Sequence, residues 1–154
     1  MGTRAIIAKE NYDKSVTAIG CQTGGFLSQT GTILHEHYID PKKVNELIEL
    51  GDIFAVLPEI GSKHDWFNQY TREETANWTR SYVRDRGQLD RIALTYKSLK
   101  DTVDAYPDIL YFYFYINESW IYYDRHMKSD IDRAMRIANA LRKHAAVDNL
   151  YGTV

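Results

Sequence analysis

The sequence predicts an α+β fold: a single domain over residues 1–154, in which helices pack on an antiparallel sheet built from hairpins. Three observations carry that prediction. Runs of β-branched and aromatic residues come in adjacent pairs, each joined by a short polar turn. Between the pairs lie stretches whose apolar residues recur at helical spacing. The 3 prolines and 9 glycines punctuate these elements and nowhere gather into a linker, and no repeat or low-complexity tract occurs.

Arg4–Lys9 and Val16–Cys21, either side of the polar turn Glu10–Ser15, read as the first hairpin, closed by Gly24-Gly25. Leu27–Tyr38 turns helical towards its C-terminal end. A second helix starts at Asp40-Pro41, where the aspartate side chain caps free backbone N–H groups and proline takes the first helical position. Val44, Leu47 and Ile48 form its apolar stripe and Gly51 stops it. Residues 52–70 read as irregular. Thr71 and Glu74 have capping-box spacing for a short helix reaching Trp78. Strands are predicted over Thr79–Arg84 and Arg91–Tyr96. Ser98 with Asp101 caps a helix that presents Leu99, Val103 and Tyr106 on one face before Pro107. ILYFYFYINESWIYYDR is the strongest hairpin, turning at Asn117-Glu118, and Ser129 caps a last helix with Ile131, Met135, Ala138 and Leu141 on its apolar edge.

Composition excludes several classes. A net charge of -2 lacks the basic excess of a nucleic-acid coat, so long nucleic acid is not an expected partner. No apolar run approaches the roughly 20 residues of a membrane span, and the first residues match neither a secretory signal nor the myristoylation pattern, Ile6 standing where Ser or Thr is wanted. One cysteine makes no intramolecular disulfide, which suits a reducing cytoplasm. The unusual total is 12 tyrosines.

Chemistry is sought first in CQTGGFLSQTGTILHEHY, residues 21–38. Cys21 before a Gly-Gly turn invites a nucleophile reading with a histidine such as His37, but a free cysteine ending an apolar strand is more often a small buried hydrophobe. His35 and His37, two apart on a helix, point to different sides and make no i, i+4 metal pair. No phosphate loop, paired-carboxylate or Ser/His/Asp spacing is present, so no catalytic residue, cofactor or metal is assigned, and a non-enzymatic role is favoured.

Two alternating stretches suggest binding instead. As a strand, residues 79–86 place Arg80, Tyr82, Arg84 and Arg86 on one face, with Arg91 beside them: either a solvated row paired with carboxylates or the seat of an anion. In the aromatic hairpin Leu110, Phe112, Phe114 and Ile116 face the core. Tyr111, Tyr113 and Tyr115 face the other way, either beneath a helix or open as a recognition surface.

MGTRA at the start, GTILHEHYIDPKKVNELIELGDI from Gly31, PEIGSKH from Pro58 and YVRDRG from Tyr82 together resemble a family of small proteins encoded by bacteriophages and prophages. The likeness runs to about Gly87 and more loosely to the aromatic hairpin; the last helix lies outside it. Where that family has Asp-Gly-Tyr, this chain has Gly24-Gly25-Phe26, an exchange a turn tolerates and a catalytic carboxylate does not. The resemblance implies phage origin and a protein of the host bacterial cytoplasm. Taken with the Tyr and Arg faces and the lack of a catalytic constellation, that origin makes binding, and inhibition, of a host component such as a defence protein the expected function. A small anionic ligand such as a nucleotide signal is the alternative partner, a Cys21-dependent hydrolase ranks last, and self-association into a homodimer is left open.

Overall fold

A computed structural model describes residues 2–67 and 72–125; the last predicted helix and Thr71 of the predicted capping box lie outside the described residues. The central strand is β1 (Ala5–Glu10), which pairs antiparallel with β2 (Val16–Cys21) on one side. On its other side it runs parallel to β6 (Tyr111–Ile116), from Ala5 opposite Tyr111 to Lys9 opposite Tyr115. β6 closes the aromatic hairpin with β7 (Ser119–Asp124), turning at Asn117 and Glu118. Beyond β2 the sheet continues to β3 (Ile53–Ala55) and β4 (Arg80–Ser81), while β5 (Leu94–Tyr96) pairs with the other half of β2.

The sheet is therefore mixed, and the expected all-antiparallel arrangement is corrected: β1/β6 and β2/β3 are parallel. Both hairpins form as the sequence predicts, but hairpin formation fixes only local pairing. Which strand lies beside β1 is decided by burial. A strand apolar on both faces gains most in the middle of a sheet, and Ala5, Ile6, Ile7 and Ala8 are all fully buried.

Two layers cover the sheet. On the face of Ala5, Ile7, Ile19 and Cys21 lie α1 (Thr32–His37) and α2 (Pro41–Glu49), contributing Leu34, Val44 and Leu47. Asp40 caps α2 as predicted, its carboxylate accepting from Lys42 N, and Gly51 follows at φ +76°. A Cβ at position 51 would overlap the Arg91 carbonyl, which accepts from Asp52 N at 2.8 Å, so glycine lets the segment after Gly87 close against the end of α2. The opposite face, with Ile6, Ala8, Val16 and Phe112, meets α5 (Leu99–Ala105) through Leu99 and Val103; Ser98 caps α5 as its spacing predicts. A single π turn (Leu27–Gly31) before α1 and the short α3 (Arg72–Thr75) and α4 (Tyr82–Arg86) complete the described elements. None of the described helices is long and apolar enough to cross a membrane.

Candidate functional site

The tyrosine row is not a surface. Alternation holds, with Phe112 and Phe114 on one face and Tyr113 and Tyr115 on the other, but α1 and α2 lie over the phenols. Tyr113 is 0% and Tyr115 7% exposed, while Tyr111 at the row's end is half-buried between Phe26 and Tyr122. The hydroxyls donate to backbone: Tyr113 to Gly25 O at 2.7 Å and Tyr115 to Ile39 O at 2.6 Å, with the Trp120 indole donating to Tyr38 O at 2.8 Å. Tyr38 and Ile39 carry carbonyls left over beyond the end of α1, which something buried must satisfy. Here the Tyr115 phenol and the Trp120 indole do so. Burial pushes the phenols of Tyr38 and Tyr115 up to about 12, and that of Tyr113 up further.

The arginine row is not a strand face either. β4 ends at Ser81, whose hydroxyl accepts from Arg84 N at 3.1 Å and caps α4; Gly87, at φ +67°, ends that helix. A serine before YVRDR and a glycine after it are helix start and stop signals that the alternation of residue types obscured. Arg84 is drawn inside, donating to the wholly buried Asp85 carboxylate at 2.8 Å and to the carbonyls of Ile60 and Thr79. Arg86 lies exposed over the rings of Phe67 and Trp66, at 4.4 Å and 5.5 Å. Tyr82 is buried with Arg91 stacked on it at 4.0 Å, and Arg80 is half-buried on β4. Two of these guanidiniums thus meet carboxylates, Arg84 with Asp85 and Arg91 with Asp52.

Asp85 also organises the loop before α3. It accepts from Ser81 N at 2.8 Å and His64 N at 3.2 Å, and the His64 ring lies 3.6 Å away, donating from Nδ1 to Ser62 O at 2.7 Å. His64 Nε2 and the nearby Trp66 Nε1 are buried without a hydrogen-bond partner among the described residues. Composition gave no hint of this node.

Cys21 is 1% exposed and donates to Thr23 O; burial raises its thiol to about 11. A thiol so disposed is protonated and shielded, and His37 stands on the surface beside Glu36, so the hydrolase reading loses its nucleophile. Among the described residues no three His, Cys, Asp or Glu side chains gather as metal ligands.

What the fold does assemble lies on the α5 side of β2. A depression of about 250 Å³ has Ile6, Ala18 and Gly20 at its base and Arg4, Asp52 and Arg91 among its walls. Small residues on β2 create it, since Ala18 and Gly20 leave room that larger side chains would fill. Asp52 is held on both oxygens, by Gly20 N at 2.8 Å and by Arg91 Nε at 3.0 Å. Around it the segment 87–96 stands three large apolar side chains in solvent: Leu89 at 74%, Ile92 at 58% and Leu94 at 52% exposure. Ile92 and Leu94 fall in the predicted strand Arg91–Tyr96, of which the structure keeps Leu94–Tyr96 as β5, but alternation alone does not reveal that their side chains face solvent.

Comparison with known protein families, curated proteins and solved structures yields no match for this chain.

Proposed function

We propose that the protein works by binding a host protein in the bacterial cytoplasm, in keeping with the phage origin its resemblance implies, and that segment 87–96 carries the contact. The supporting observation is the trio Leu89, Ile92 and Leu94. Single exposed apolar residues are ordinary, but three within six positions, beside a depression, are what a docking surface presents. The segment is also held in place, because Arg91 pairs with Asp52 through its side chain and accepts from Asp52 N through its carbonyl. Little ordering entropy then opposes association. The target's place in a defence system comes from the resemblance alone.

The test is quantitative capture from host lysate with immobilised wild type, Ile92→Asp and an exposed control, Lys42→Glu. A specific partner falls at least tenfold with Ile92→Asp, stays with the control, and leaves the melting temperature unchanged. Equal recovery on all three proteins, or no partner at all, removes the reading.

A second reading rests on Arg4, which borders the depression beside the Arg91–Asp52 pair: a small anionic ligand such as a nucleotide. A ligand at 100 times its Kd stabilises by about 2.7 kcal/mol, so a thermal-shift screen against nucleotides with Arg4→Ala as control decides it.

A further inference from the structure

We infer that a second cavity, between the turn before α1 and the end of β3, is a binding site for a small uncharged molecule with hydroxyl or amide groups and one apolar face, of nucleoside or sugar size. The cavity measures about 400 Å³, within the range that holds small ligands. It shares no lining residue with the depression beside segment 87–96, so it stands or falls independently of the proposed function.

Its shape follows from local backbone. Gly24 sits at φ +70°, and Thr30 returns to it twice, through N at 3.1 Å and Oγ1 at 2.7 Å, both donating to the Gly24 carbonyl. Thr30 belongs to Leu27–Gly31, one π turn, a widened helical turn that is uncommon and often found at functional sites. Ser28 and Gln29, both exposed on this turn, line one side of the cavity. The opposite wall is Ala55, Val56 and Leu57, held rigidly: Leu57 N donates to Thr79 Oγ1, and the Leu57 carbonyl accepts from both Thr79 and Tyr38 hydroxyls. Both walls are therefore set before any ligand arrives.

The lining chemistry selects the ligand. No residue of the lining carries a titratable side chain. Ile33, Ala55 and Val56 give an apolar floor, and Thr23, Ser28, Gln29 and Thr32 a neutral polar rim. The Ser28 hydroxyl and the Gln29 amide bond no other side chain or backbone group of the described residues, so their hydrogen-bonding capacity is open to a guest. A phosphate or carboxylate entering here would be desolvated with no cation to meet it, which is costly. Neutral donors and acceptors meet matching groups.

The experiment is amide chemical-shift titration of the ¹⁵N-labelled full chain with millimolar adenosine, thymidine or maltose, each against AMP, TMP or maltose 1-phosphate. At least one uncharged probe is expected to shift the amides of Gly24, Thr32 and Ala55, while its phosphorylated partner binds at least tenfold more weakly. Ser28→Trp, on an exposed position of the π turn, abolishes the shifts; should it lower the melting temperature, Ser28→Ala serves instead and weakens binding about fivefold. The proposal is overturned by the absence of shifts at these amides with all three probes, by equal binding of a phosphorylated probe, or by unaltered binding to both Ser28 variants.

Discussion

Tyr113 shows how one residue can carry both apolar and polar duties. Its ring is buried against α1 and the turn before it, and its hydroxyl, at 2.7 Å, satisfies the Gly25 carbonyl in a place water does not reach. Tyr113→Phe leaves that carbonyl short of a donor and is expected to cost about 1–2 kcal/mol in urea denaturation. Tyr113→Ala removes the ring as well and costs about 3–5 kcal/mol, which makes it a stability variant and no probe of binding. Buried proton donors also set the alkaline limit. The Cys21 thiol ionises near 9.0 when unfolded and near 11 when folded, because burial disfavours the thiolate. Between those values only the unfolded state has lost the proton. The contribution is therefore complete below pH 9 and declines as pH rises towards 11, by about 2 kcal/mol, with Tyr38 and Tyr115 extending the loss towards 12. Denaturation midpoints followed from pH 8 to pH 11 test this, and Cys21→Ala flattens the first part of the decline.

At the scale of elements, turn chemistry decides what is comfortable and what is strained. Asn117 and Glu118 both adopt positive φ, 49° and 62°, as a two-residue turn between twisted strands requires. Glutamate is poorly suited to that conformation, so Glu118→Gly is expected to stabilise the protein by about 1 kcal/mol, read as a raised melting temperature. The positions of this hairpin, of the first hairpin and of α2 with its Asp40 cap were legible in the sequence, because each is set by residues within one or two turns of chain. The stretch 79–86 was misread for the opposite reason. Its alternating Arg, Tyr and Arg imitates a strand, whereas Ser81 and Gly87 frame a helix whose interior arginine is drawn in by Asp85. The tyrosine face likewise obeys parity, and its closure depends on where α1 and α2 come to rest. That is a long-range fact without a local signature. The depression over Ala18 and Gly20 belongs to the same category, since it forms only where Asp52 and Arg91 arrive from separate segments.

The whole molecule hangs on β1, which joins a local antiparallel partner to a distant parallel one. A chain ending at Ala105 keeps β1 to β5 but uncovers one full edge of the central strand. It is expected to lack a cooperative thermal transition by circular dichroism, whereas the full chain melts in a single step. The parallel pairing also has a consequence in time. Ala5 leaves the ribosome 106 positions ahead of Tyr111, the residue it must face. At a synthesis rate of about 5–20 residues per second, the nascent chain carries its most water-averse strand half-finished for roughly 5 to 20 seconds. During that interval the newborn polypeptide offers Ile6 and Ile7 to chaperone holdases and to proteases, so how much protein accumulates in a cell depends on which reaches that strand first.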